Sequence, residues 1–438
     1  MAALGAGSAG FYAATLWLPD WRVDTATFLT VFGALFVMSI AAWLVARTVP
    51  WGDRRVLPVI LAAAAIFRLL IFVSPPTLSD DIYRYVYDGR LQLAGISPFA
   101  YAPNDPHLAK VRDAAGYAKL GDNRNTLAVY QPVSQVLFAA AAAAGAGDRA
   151  VYVIKGTLAL LDLGTVLLLI GILRRLKRPP GLAILYAWSP LVVFEIAGSG
   201  HIDGLAIFFA MSGIYAVLRC RPLAGGALTG LAVATKLLPA SLVPAINRRP
   251  WDLRPALAAA GAIAVTYFPY LVWGGSPLPF NNASGGLAFN QGLKTAVIWL
   301  VGGPGLAADN IFAVFSGAAL LGAGIYFWSR PKSDGGIVRS AFWLTGLVII
   351  LLPYTVPWYL VLWLPFVALE ESPAGVYLSG AVMLSYLFYT AQPWGLAAWI
   401  QPLEFIPFFL LLAWDYRRRS PGRLDFELPS NDAELDPA

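Results

Sequence analysis

The sequence predicts an all-α polytopic membrane protein of about 12 transmembrane helices, and three observations carry that expectation. Of the 438 residues, 58% are hydrophobic and 13% charged, about half the charged fraction of a soluble domain. Apolar runs of span length recur along the chain, and in lipid such a run satisfies its backbone polar groups by closing into a helix. Basic residues collect in the short loops between runs, which orients the chain with those loops inside. The net charge of +6 is therefore a topology signal, and no nucleic-acid partner is expected. The single cysteine, Cys220, can form no internal disulfide, and no Cys/His pattern has zinc spacing.

Residues 3–18 form the first apolar run. It has no basic leading segment and no small-residue cleavage signature, so it reads as a retained helix. A polar turn at 19–24 leads to a second span at 26–46. Arg47, Arg54 and Arg55 put the next loop inside, so a third span at 56–74 runs outward. An exoplasmic loop follows, from about residue 75 to about residue 150. Within it, the apolar run 132–145 is too short for a span. Laying it on the outer face keeps Arg174, Arg175, Lys177 and Arg178 cytoplasmic after the span 151–173.

The span 182–197 goes out and 204–218 returns, leaving Gly198–Asp203 at an exoplasmic turn. Residues 224–246 are flanked by arginines on both sides and are too short to cross twice, so two half-helices broken near Lys236 and Pro239 are expected. Residues 255–273 lead out to a Gly/Asn-rich loop at 274–292, and 311–328 returns. Spans near 341–353, 357–369, 376–391 and 402–414 complete one transmembrane domain, residues 1–416. The remaining residues, 417–438, are acidic and poor in apolar side chains after Ser420, and read as a disordered cytoplasmic tail.

Residues 78–103, LSDDIYRYVYDGRLQLAGISPFAYAP, are the long polar interruption of this apolar chain. Ser79 can cap a helix. Asp80 and Asp81 then fall in the first turn, where the helix dipole favours an ionised carboxylate. At 3.6 residues per turn Asp81, Arg84, Tyr85 and Asp88 share a face, and Asp80 reaches Arg84 at i+4. Gly95 and Ser97-Pro98 stop the helix. Taken alone, the aspartates could simply charge an interfacial helix start.

The pattern SDDIYRYVYDGRLQLAGISPFAY resembles the bacterial polyprenyl-phosphate-mannose-dependent mannosyltransferases of the GT-C superfamily of integral-membrane glycosyltransferases. VYQP at 129–132, GHID at 200–203, GLAVATKLLPA at 230–240 and PYTVPWYLVLWLPF at 353–366 are similar to the same family. The resemblance implies a GT-C-like fold and an inverting transfer. An acidic residue takes the proton of an acceptor hydroxyl, whose oxygen displaces polyprenyl phosphate from the anomeric carbon. In the matching pattern the aspartate followed by an aliphatic residue is the base, which points to Asp81. Asp80 would orient it, hold a sugar hydroxyl or pair with Arg84.

The leaving phosphate needs positive charge in a low-dielectric site. Arg68 lies inside the third span, where an ion is a functional candidate, with snorkelling as the alternative. Lys236 interrupts an apolar segment beside Pro239, with the same two readings. Arg84 and Tyr85 lie on the Asp81 face and count as substrate-binding candidates. His201 and Asp203 stand at an exoplasmic turn, suited to sugar hydroxyls, to phosphate, to part of a metal site, or to no more than a polar turn. Tyr354, Trp358 and Tyr359 sit at an exoplasmic helix end, packing a sugar or belonging to the aromatic belt.

The expected enzyme is thus a hexosyltransferase of the bacterial cytoplasmic membrane with its site facing outside. Its partners are a polyprenyl-phosphate-linked sugar, an acceptor on a glycan, glycolipid or protein, and the lipid bilayer. No dedicated metal-ligand set is visible, although the carboxylates leave a divalent cation open as cofactor. A secondary transporter or flippase of a lipid-linked sugar is the alternative, since broken helices and intramembrane charges suit it. Against it, no inverted repeat is visible and the acids crowd into an outer loop.

Overall fold

Runs of Leu, Ala, Val and Phe with few charges close into helices throughout. A computed structural model of the chain describes residues 1–49, 53–278, 289–391 and 395–418, and among these there is no strand. The helices in chain order are α1 (Ala2–Thr15), α2 (Thr25–Thr48), α3 (Val56–Phe72), α4 (Asp81–Leu93), α5 (Ala114–Ala118) and α6 (Pro132–Ala144). Then come α7 (Asp148–Arg175), α8 (Ile184–Ala187), α9 (Pro190–Val192), α10 (Asp203–Leu218), α11 (Pro222–Val233) and α12 (Arg254–Trp273). The last are α13 (Leu293–Leu300), α14 (Leu306–Trp328), α15 (Asp334–Ile350), α16 (Leu364–Glu370), α17 (Pro373–Ala381) and α18 (Ile400–Arg418). Most of the expected tail, and most of the loop at 274–292, fall outside the described residues.

Among the described residues, four helices are long and apolar enough to cross a membrane: α2, α7, α12 and α14. They coincide with the spans expected at 26–46, 151–173, 255–273 and 311–328. A fifth crossing is available to Pro180–Ala187 and Pro190–Gly198, a pair bent by 52°. The twelve full spans expected are therefore not all continuous helices of span length. Proline explains several of the departures: Pro190 follows the bend, and Pro357 and Pro365 divide 357–369 into a 3-10 turn, Pro357–Leu362, and the short α16. The run 376–391 likewise becomes α17 and a 3-10 stretch, Val382–Thr390. Irregular backbone at such depth is tolerated where protein covers it.

The expected break in 224–246 is present. Helix α11 ends at Val233 and a 3-10 turn, Leu238–Leu242, follows, so the second piece is no α-helix. Lys236 lies in the gap.

Small residues set the close helix contacts. A Cβ on Gly226 of α11 would run into the Pro255 carbonyl of α12, so only glycine lets the two backbones meet there. In the outer loop α4 lies across α6 in the same way, with Gly89 against the Phe138 carbonyl. The Tyr85 and Phe138 rings stack beside that contact, 4.4 Å apart at 6°. That packing fixes the direction in which the first turn of α4 presents Asp81.

Candidate active site

The helix start at α4 differs from expectation in two respects. Asp80 occupies the N-cap position without a side-chain cap bond, and Asp81 is the first helical residue. The Asp81 N–H donates to Ser79 Oγ at 3.3 Å. Asp80 turns away from the helix and lies 2.5 Å from Arg22 Nη2, in the polar turn before α2. The anticipated Asp80–Arg84 contact does not form. Arg84 instead pairs with Asp88 at 2.7 Å and donates to the Asn123 and Thr126 carbonyls, both at 2.8 Å. Arg84 and Asp88 are both buried, so they tie α4 to the loop rather than face a substrate. Burial pushes the Asp88 carboxyl up, while Arg84 and the Gln135 amide pull it back.

Tyr85 is also buried, packed between Phe138 and the edge of Tyr130. Burial raises its phenol well above the usual range, and the nearby Asp81 and Asp203 charges raise it further. It forms the floor beneath Asp81.

Three separate segments meet Asp81 or stand close behind it. A π-helical turn, Val193–Gly198, carries Glu195, and such turns recur at functional sites. After it, Gly200 takes φ +74°, where a Cβ would strike Ile82 of α4. That turn swings His201 inward, with its Nε2 4.0 Å from Asp81 Oδ2 and its Nδ1 2.9 Å from Glu195 Oε2. Tyr386, from the 3-10 stretch after α17, donates to Glu195 Oε1 at 2.8 Å. The His201 ring stacks on Trp358 at 4.2 Å and 14°.

Asp203 opens α10 and accepts two hydrogen bonds from Lys236 Nζ, at 2.6 and 2.8 Å. The ammonium also lies 4.3 Å from the Tyr359 ring centroid. Tyr354 stands 6.3 Å from Tyr359, centroid to centroid. Asp81, Tyr85, His201, Asp203, Lys236, Tyr354 and Trp358 are thus linked from residue to residue into one cluster.

Arg68, expected at the donor phosphate, is committed elsewhere. Its Nε lies 2.6 Å from Asp162 on α7, and its Nη1 donates to the Ala64 and Ala187 carbonyls at 3.0 and 2.9 Å. Asp162 also accepts from the Tyr186 hydroxyl at 2.5 Å. This network ties α3, α7 and α8 together.

Among the described residues, no group of three or more His, Cys, Asp or Glu side chains converges as a metal site. Exposure separates the two acids nearest His201: the Asp81 side chain is 23% exposed and Glu195 fully buried. Asp81 is therefore the carboxylate of that pair that an incoming hydroxyl can reach.

Glu195, Tyr386 and Arg22 belong to this arrangement and were not anticipated. Glu195 did carry a signal, as a lone acid within an apolar run. Tyr386 and Arg22 carried none that links them to residues so distant in sequence.

A family model described as "Alpha-(1->6)-mannopyranosyltransferase, N-terminal domain" matches residues 2–248. The matched stretch contains Arg22, Asp80, Asp81, Glu195, His201, Asp203 and Lys236, and stops before Trp358 and Tyr386. A similar protein, Alpha-(1->6)-mannopyranosyltransferase A of Mycobacterium tuberculosis, is 24% identical over 332 residues, 68% of this chain. The aligned stretch spans 62% of the length of that relative. Among solved structures, the archaeal oligosaccharyltransferase AglB from Archaeoglobus fulgidus, in complex with an inhibitory peptide and a dolichol-phosphate, aligns with 83% of this chain and 56% of its own. Its TM-score is 0.37 and its identity 11%.

Proposed function

Since the chain belongs to the alpha-(1->6)-mannopyranosyltransferase family, we propose that it moves mannose from a polyprenyl-phosphate donor to an acceptor hydroxyl, with inversion, at the outer face of the bacterial cytoplasmic membrane. In this reading residues 1–416 form one GT-C-like catalytic domain, and the acceptor belongs to a glycan, glycolipid or protein. The linkage in the relative's name makes the 6-hydroxyl of a mannoside the first acceptor to test.

The observation that carries the reading is the placement of Asp81. It sits at the N-terminus of a 13-residue helix, where the dipole favours the ionised form. It is open enough to accept a proton, and a buried imidazole stands behind it. As general base, Asp81 takes the proton of the acceptor hydroxyl while that oxygen attacks the anomeric carbon. The bond to the phosphate oxygen breaks, and polyprenyl phosphate leaves with the electron pair. Lys236 supplies positive charge for that leaving group, with Asp203 holding the ammonium in place. Asp80, held by Arg22, lies beside the base and fixes the entry of α4. Trp358 and Tyr354 offer ring faces to the sugar.

The test is transfer from a synthetic short-chain polyprenyl-phosphate mannose to a mannoside in detergent, with wild type and Asp81→Asn. Turnover that depends on Asp81 supports the reading. No turnover in detergent, combined with movement of the lipid-linked sugar across a proteoliposome membrane, would replace it with the flippase.

A further inference from the structure

We propose that His201 is the proton acceptor behind Asp81: it receives from Asp81 the proton taken from the acceptor hydroxyl and so restores the carboxylate within the closed site. The inference rests on Asp81 being the base.

Four observations point to it. His201 is 1% exposed, and among the described residues its Nε2 makes no hydrogen bond, although Nδ1 and one ring face are held. That nitrogen faces Asp81 Oδ2 at 4.0 Å, a separation that one small side-chain movement closes, as is common before substrate binds. On the other edge, Nδ1 hydrogen-bonds the Glu195 carbonyl at 3.2 Å and lies 2.9 Å from Oε2 of the same residue, to which it makes no hydrogen bond. A carbonyl can only accept, so Nδ1 carries the hydrogen and Nε2 is left with the lone pair. Trp358 covers the ring face and Tyr386 anchors the far oxygen of Glu195, which keeps the imidazole from turning.

Charge favours the transfer. The groups facing the imidazole are Asp81 from α4 and Glu195 from the π-turn, and Tyr386 bonds the other oxygen of Glu195. Asp203 is two residues on, already paired with Lys236. Lys155 of α7 packs its stem behind Gly200 and directs its ammonium to the Ser74 carbonyl. With Asp81 protonated and His201 neutral, the buried Glu195 carboxylate has no cation against it among the described residues. Moving the proton to Nε2 leaves an imidazolium between two carboxylates without changing the net charge. The proton later leaves to water by the same route, so one hydroxyl proton enters and one leaves per turnover.

A purely structural histidine would show the same packing, so the test needs a readout that packing does not move. The chain has two histidines. His107 lies exposed in the outer loop, so His107→Gln leaves His201 as the sole imidazole. In that background, 15N-histidine spectra in detergent should show the Nδ1–H tautomer for neutral His201. Asp81→Asn removes the carboxylate facing Nε2 and should lower the His201 titration midpoint. These spectra need no substrate.

In the transfer assay, His201→Gln should lower kcat about 10- to 100-fold with donor KM unchanged. Its pH–rate profile should also differ from that of wild type. Glu195→Gln, which keeps the shape of the site, should lower kcat in the same direction. The Nε2–H tautomer, a His201 midpoint indifferent to Asp81→Asn, or an unchanged kcat and pH profile in His201→Gln would each overturn the inference. Full turnover in Asp81→Asn would overturn the base assignment as well, whereas failure of His201→Gln to differ from wild type leaves Asp81 as base standing.

Discussion

Lys236 holds both oxygens of Asp203, at 2.6 and 2.8 Å, across 33 residues of sequence. Asp203 is 3% exposed and Lys236 17%, so removing the lysine strands a buried carboxylate. Lys236→Ala should lose about 3–5 kcal/mol of stability, read as a lowered melting temperature in detergent. The pair Lys236→Met with Asp203→Asn removes both charges and should recover most of that loss. If Lys236 also serves the leaving phosphate, the recovered double variant will still show a raised donor KM or a lowered kcat. Normal kinetics in a stable double variant would assign the lysine to structure alone.

Arg68 and Asp162 form a second buried pair, and the comparison with Lys236 separates an ion that supports a fold from one that serves a site. Both partners are nearly inaccessible, at 1% and 0% side-chain exposure. Arg68→Leu should destabilise by about 3–5 kcal/mol, and adding Asp162→Leu should restore much of it. In that double variant the transfer kinetics should match wild type. A selective rise in donor KM would return Arg68 to the phosphate.

The contrast also shows what the sequence could reveal. The long uninterrupted runs, such as those of α2 and α7, were legible because length and apolarity alone decide them. The broken ones were not: Pro190 in the run 182–197 marks where a break can fall, but not that the second piece will bend by 52° from the first. His201, Asp203 and Lys236 stood out as polar residues in apolar surroundings, and Asp81 as an acid at the start of the polar stretch. Their pairing did not, because it depends on how the π-turn and the gap after α11 face α4. Glu195 and Asp162 were as visible as Arg68 by the same rule of intramembrane charge, and only the fold separates their roles. Arg22 took the place assigned to Arg84 because a cation in the turn before α2 folds back onto the N-cap of α4.

That Arg22–Asp80 pair is partly open, at 23% and 33% side-chain exposure, so its worth to stability is small, about 0–1 kcal/mol. Arg22→Gln should therefore leave the melting temperature nearly unchanged. If Asp80 fixes the entry of α4, Arg22→Gln and Asp80→Asn should each reduce turnover, and the double variant should be no worse than the more damaging single. Additive losses would show that the two residues act separately on the reaction.

Orientation is tested by chemistry on the intact chain. Cys220 is the single native cysteine, so Cys220→Ser gives a background for labelling. Asn123→Cys should react with a membrane-impermeant maleimide added outside intact cells, and Lys177→Cys only after permeabilisation. Outside labelling at position 177 would invert α7 and every later crossing.

The sharpest expectation concerns the three aspartates of the α4 region, which differ in partner and exposure. Among the described residues Asp81 pairs with no Lys or Arg, and it is open to an acceptor, so Asp81→Asn should remove about 10²–10⁴ of the rate while leaving the protein monodisperse. Asp80 keeps its carboxylate on Arg22, so Asp80→Asn should lose less. Asp88 is buried against Arg84, so its replacement strands a guanidinium: Asp88→Asn should cost about 3–5 kcal/mol of stability with kcat per folded molecule little changed. Measuring turnover at saturating donor and acceptor beside the melting temperature of each variant separates these cases. A dead but stable Asp80→Asn beside a nearly normal Asp81→Asn would move the base one residue back. Full activity in both would reduce the pair to a charged helix start.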